Sequence, residues 1–320
     1  VLYDRVINTG TINEPGGKPT PEYALQSTVS WMRSLQFLTR AINFTTATAA
    51  YQKLGKRDMD VLVENTVLEQ LFLALHHLSA LQAMAGAPLQ ADVARLGILG
   101  WYYGISNAAS AMTAAQDGSF QEDHSGTARM WDTAIAAQGL AIGPFGWRVT
   151  TLIEKDYAAE VEVYRNGSEG SLQWAIASDA EAVGAAASYL KGSAKWHAWK
   201  QEQALRNTRE FKALQVDNFR TKAAREMRDA RLAGRPMGFV HQASRYRGKA
   251  NYREALFLAY GKGTEKTLRG FVSDQTAVLR AFLAMAGAFC ARKLGRQTWD
   301  EFVADVEANR AFAADVSVWS

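Results

Sequence analysis

The chain has a single cysteine in 320 residues, Cys290, so it can close no intrachain disulfide and build no cysteine-based zinc cluster. Only six prolines are present, a scarcity that favours long helices. No apolar run reaches the ~20 residues that cross a bilayer. The most apolar stretch, Val278 to Ala291, is shorter than that and carries Arg280. The N-terminal residues hold no basic segment followed by an apolar one, which predicts no secretory signal and a cytoplasmic chain. The motifs of common enzyme classes are missing too: there is no GxSxG elbow, no HExxH and no dinucleotide fingerprint. Gly261-Lys-Gly-Thr264 lacks the full phosphate-loop spacing and follows a helical pattern, not a strand. What is left is a globular composition, 48% hydrophobic and 21% charged, which excludes a disordered chain and a collagen-like repeat.

Apolar residues recur at three- and four-residue steps over most of the chain, and no segment alternates with the period of a strand. Leu25, Val29, Met32, Leu35 and Phe44 mark a first helix from Pro21. A second run covers 58–84, with Leu68, Leu71, Leu75, Leu78 and Leu81 on a broad apolar face, and a third covers 92–115; Gly86 and Pro88 separate them. Further helices are predicted at 126–139, 146–166, 171–191, 194–214, 216–233, 250–260, 266–294 and 298–311, the last opened by the capping-box pattern Thr298-Trp-Asp-Glu301. The expected fold class is all-α, a multi-helix bundle. The first 20 residues, with three glycines and two prolines, read as an extended N-terminal arm. Asn166-Gly-Ser-Glu-Gly170 reads as a linker between a helical bundle at 21–166 and a basic helical region at 171–320 packed on it.

The net charge of +4 is unevenly spread: residues 191–253 carry 16 basic and 5 acidic side chains, a net +11, which leaves −7 for the rest. At about 100° per residue, Arg220, Arg228, Arg231 and, if the helix extends that far, Arg235 share a sector about 80° wide. An apolar seam of Phe219, Ala223, Met227 and Ala230 lies beside it, while Glu226 and Asp229 lie off the stripe. Arg245, Arg247, Lys249 and Arg253 follow, interleaved with Tyr246 and Tyr252. Arginine forks grip phosphates and tyrosine rings stack on bases, so this is the composition of a nucleic-acid track. A solvated face, or one that meets an acidic protein subunit, has the same composition. Arg253 lies in an apolar stretch and fits a buried anchor as well as a phosphate contact.

His76 and His77 are adjacent in the leucine-rich second helix, with no carboxylate or histidine at the three- or four-residue spacing of a helical metal site. They read as core or interface residues, and no metal is expected. Glu122-Asp123-His124 reads as the acidic cap of the helix that follows, and His197, between Trp196 and Trp199, as packing.

Leu96-Gly-Ile-Leu-Gly-Trp-Tyr-Tyr-Gly-Ile-Ser-Asn-Ala-Ala-Ser-Ala-Met112, followed by Asp123-His124-Ser125-Gly126 and Glu154-Lys-Asp-Tyr157, resembles the HEPN superfamily of small helical bundles, over roughly residues 96–165. The resemblance implies a HEPN-like bundle in the first half, commonly dimeric, and a place in toxin–antitoxin, antiviral defence or RNA-processing systems. Catalytic HEPN members are metal-independent ribonucleases whose arginine and histidine are separated by four to six residues. Within the resembling stretch Arg148 has no such histidine. Elsewhere Arg235 and His241, in Arg-Pro-Met-Gly-Phe-Val-His, have the spacing, but Pro236 breaks the helix on which that motif normally sits. The expectation is therefore a non-catalytic nucleic-acid-binding or scaffold subunit of a prokaryotic nucleoprotein or defence complex. It would touch RNA or DNA backbone through Arg220, Arg228, Arg231, Arg245, Tyr246, Arg247, Lys249 and Arg253. Other subunits or a second copy would be its partners, and it would need no cofactor. The alternatives are a ribonuclease toxin that uses Arg235 and His241, and an antitoxin-like protein-interaction module.

Overall fold

A computed structural model of the chain describes residues 20–172, 175–251, 253–314 and 316–320, with Leu2 and Arg5. The arm predicted at 1–20 lies almost wholly outside these. The fold is all-α. The first half runs α1 (Pro21–Thr39), α2 (Phe44–Ala50), α3 (Val61–Ala85), α4 (Gln90–Asp117), α5 (His124–Trp131, continued by a π-helical turn at Asp132–Ala136) and α6 (Glu154–Arg165). The second runs α7 (Asp179–Arg206), α8 (Arg209–Ala213), α9 (Lys222–Leu232), α10 (Phe239–Asn251), α11 (Thr264–Leu268), α12 (Phe271–Leu294) and α13 (Arg296–Asn309). Two-residue strands, β1 (Arg148–Val149) and β2 (Met237–Gly238), pair antiparallel.

The most apolar stretch of sequence is the central helix of the fold. α12 packs against α1, α2, α3 and α4, and every residue from Ala281 to Cys290 is buried. A helix that is apolar all round belongs inside. Each side chain the size of Phe282, Leu283 or Phe289 contributes roughly 1.5–3 kcal/mol by its burial. Close approach to α4 depends on Gly104, where a Cβ would lie 2.6 Å from Leu279 Cδ2. Among the described residues no helix is long and apolar enough to cross a membrane.

Several helix boundaries depart from the periodicity. The helix expected at 146–166 starts only at Glu154, because Arg148 and Val149 give their backbone groups to β2. The two expected at 171–191 and 194–214 are mostly one, α7, which begins at Asp179, where Ser178 accepts from the Glu181 N–H, and passes through Gly192 without a break. The run at 250–260 divides: α10 ends at Asn251, and Arg253–Leu258 forms a 3-10 turn. Thr298 is not a cap, because the positive-φ Gly295 both ends α12 and precedes α13. Segment 166–170 is pressed onto α7: a Cβ on Gly170 would stand 2.7 Å from Glu181 O, and one on Gly184 would stand 2.6 Å from Glu169 O. The largest core draws on residues from both sides of that segment, from Ala24 to Trp319. A second core joins α6, α7 and the β pair to Leu232 of α9.

Candidate functional site

An aromatic cluster fixes α10 against α1, α4 and α7. Trp31 stacks on Tyr189 with centroids 4.1 Å apart and meets the edge of Tyr246 at 4.8 Å, while Trp101 packs on Tyr246 at 5.6 Å. Tyr246 is fully buried, and its hydroxyl donates to the Thr28 carbonyl at 3.0 Å. It is therefore not the base-stacking residue that its place among arginines suggests: it is the anchor of α10. Phe239, Val240, Gln242, Ala243, Tyr246 and Ala250 are buried, which turns Ser244, Arg245, Gly248 and Lys249 outward. On α7 the apolar face includes Ala186, Tyr189, Leu190 and Ala194, while Trp196, His197, Lys200, Gln201 and Ala204 form a stripe at helical spacing.

The two outward faces enclose a cleft of about 600 Å³. Lys200, Arg245, Arg247 and Lys249 line it, with Trp196 and His197, and no carboxylate is among its described lining residues. The Lys200 ammonium lies 4.8 Å and the Arg245 guanidinium 5.2 Å from the Trp196 ring centroid. Each such contact contributes about 0.5–2 kcal/mol and holds its cation at the wall. Arg245 also donates to Ser193 Oγ at 3.4 Å. Arg247 leans over Tyr102, 5.0 Å from its centroid. Burial, reinforced by His241, Arg245 and Lys200, pushes His197 down to about 3, so it adds no charge at neutral pH. Gathering cations on one concave wall raises their mutual repulsion, and a polyanion bound there relieves it.

The remaining predicted residues are placed differently. α9 is shorter than expected, so Arg220 precedes its N-cap, Thr221, and Arg235 follows its end. Its buried positions are Ala224 and Leu232, whereas Ala223 and Ala230, expected on the seam, are exposed. Arg228 falls on the inward side, bonded to Asp229 at 2.8 Å, and lines a separate cleft of about 440 Å³ with Glu154, Glu202 and Asp229. Arg231 donates to Gln201 Oε1 at 3.1 Å, at the edge of the cationic cleft. The Arg253 side chain lies outside the described residues.

Arg235 and His241 do not form a pair. Arg235 donates back to the Arg231 carbonyl at 2.7 Å. His241 Nδ1 accepts from the Gly238 N–H at 3.3 Å. Burial pushes this ring down to about 4, with Asp132 opposing and Arg148 and Arg129 assisting. Arg148 grips Asp132 through Nε at 3.0 Å and Nη2 at 2.7 Å. Among the described residues no group of three His, Cys, Asp or Glu side chains is arranged to hold a metal.

Sequence reasoning read Trp196 and His197 as packing only and did not single out Lys200. The signal was there: a tryptophan and a lysine four residues apart stack on one helix face. Compared with protein-family models, with curated proteins and with solved structures, the chain matches none.

Proposed function

We propose that this protein binds the phosphate backbone of a nucleic acid in the cleft between α7 and α10. The observation that carries the reading is the lining itself: four cations from two helices, two of them braced on Trp196, with no lining carboxylate among the described residues. Arg245, Arg247, Lys249 and Lys200 are the backbone contacts in this reading, and Arg231 stands at the rim through Gln201. Of the segments that resemble HEPN bundles, the one on α4 adjoins the cleft, with Tyr102 under Arg247. A binding or scaffold role in a larger nucleoprotein assembly follows from that resemblance together with the cleft.

The test is a salt series. With three or four phosphates engaged, affinity for a short oligonucleotide falls roughly 20- to 50-fold between 50 and 200 mM salt for a single strand. Affinity that does not move with salt, or no binding at 50 mM, would refute the reading.

A further inference from the structure

Arg247, a lining residue of the cleft, connects it to a row of aromatic rings. The ring beneath it, Tyr102, is the floor of a ledge. Tyr102 meets His124 at 5.2 Å and Tyr103 at 5.5 Å, centroid to centroid. Tyr103 meets His124 at 5.6 Å and lies nearly parallel to His77 at 5.9 Å, with 21° between the planes. Tyr102 is buried, whereas Tyr103, His124 and His77 are half-buried. Local structure fixes the ledge. Asp123 caps α5 by accepting from the Gly126 N–H at 2.8 Å and the Ser125 hydroxyl at 2.5 Å, which sets His124 as the first helical residue. Tyr103 and His77 stand on α4 and α3, which pack along their length.

Both histidines are poised as neutral rings. His124 is held below the usual histidine range by burial and then by the Arg247 charge, with Asp123 opposing. His77 is held down by burial and then by His76. The ledge thus offers uncharged π faces beside a wall of cations, two surfaces of different chemistry joined at Arg247.

We infer that the cleft and the ledge together form a site for single-stranded nucleic acid, with phosphates held by Lys200, Arg245, Arg247 and Lys249 and unpaired bases stacked on Tyr103 and His124. Aromatic faces reward only bases that are free of a duplex stack, whereas cations reward any phosphate chain. This rests on the reading of the cleft as a phosphate site and adds what that reading leaves open, the selection of strand over duplex.

The experiment compares three probes on the full chain: a 12-nucleotide single strand, the duplex of the same sequence, and inorganic polyphosphate, which has charge but no bases. The wild-type protein binds all three at low salt and prefers the strand to the duplex by tenfold or more. Each stacked base is worth roughly 5- to 150-fold in affinity. Tyr103→Leu and His124→Ala each remove most of that preference and leave polyphosphate binding as it was, while Tyr103→Phe, which keeps the ring, retains it. If Tyr103→Leu does not fold, His124→Ala, at the protein surface, carries the same test. Equal binding of strand and duplex by the wild type, or an unchanged preference in His124→Ala and Tyr103→Leu, overturns the ledge and leaves the cleft standing. Failure to bind even polyphosphate overturns both.

Discussion

Helix α7 carries a cleft on each of two faces, and both contain a tryptophan, a lysine and an arginine from a neighbouring helix. On one face Trp196 and Lys200 meet Arg245, with no lining carboxylate among the described residues. On the other, Trp199 and Lys195 meet Arg228, and Glu154, Glu202 and Asp229 stand among them. The residue types are nearly the same and the four-residue spacing is kept, with the order reversed along the helix; the difference is whether carboxylates stand in the lining. Where carboxylates line the wall, the cations are part of the fold. Where none is among the described lining residues, the lining is cationic or neutral, and an anion from outside the chain would complement it. The carboxylates in the lining, more than the arginine count, distinguish the two faces.

That rule can be broken hardest where neutralisation is most complete. Arg148 and Asp132 form a two-bond pair, with the Asp132 side chain 1% exposed and Arg148 19%. Asp132→Ala leaves the guanidinium without its counter-charge beside His241, and denaturant unfolding should show a loss of about 3 kcal/mol or more. A loss below about 1 kcal/mol would mean that the pair is not what holds β1 and the π-helical turn together. The next largest effect should come from the two faces of α7. Reversing charge in the cationic cleft with Lys200→Glu and Arg245→Glu should raise the dissociation constant for a single strand roughly 30- to 100-fold and lower the salt slope by about 2. Arg228→Glu, in the neutralised cleft, should leave both nearly unchanged. Comparable losses from the two faces, measured by fluorescence anisotropy at one salt concentration, would erase the distinction between them.

Much of the architecture was legible because it rests on helical periodicity. The apolar faces of α1, α3 and α4 and the apolar run of α12 all announce buried helices, and Asp123 announces its cap. Boundaries were less legible, because they depend on long-range events: the pairing of 148–149 with 237–238 and the single glycine shared by α12 and α13 leave no local trace. The site was half legible. Arg245, Arg247 and Lys249 could be singled out as a basic run, but the other wall, Trp196 to Ala204 on α7, joins them only through tertiary packing. Tyr246 misled for the same reason. Its neighbours in sequence are cations, and its neighbours in space are Trp31, Trp101 and Tyr189. The arginine stripe failed on a helix end: with α9 beginning at Lys222, Arg220 leaves the face on which an ideal helix would put it.

The finest comparison lies inside the neutralised cleft, at Glu202. Burial raises its pKa above the usual glutamate range; Arg228 and Arg206 pull against this, and Glu154 and Asp229 push with it. Lys155 and Lys195 line the same cleft. A raised folded-state pKa means that the folded protein holds the Glu202 proton to higher pH than the unfolded chain does. Its stabilising share is fully present below the ordinary value of 4.5 and is lost as the pH climbs through the folded value. At neutral pH the ionised carboxylate is therefore a small net burden, even beside two arginines. Glu202→Gln should raise the melting temperature at pH 7, by less than about 3 °C, and the two proteins should converge at pH 4. A lower melting temperature at pH 7 would show that attraction to Arg228 and Arg206 outweighs burial. Strand binding should not respond, because the substitution alters the face of α7 turned away from the cationic wall.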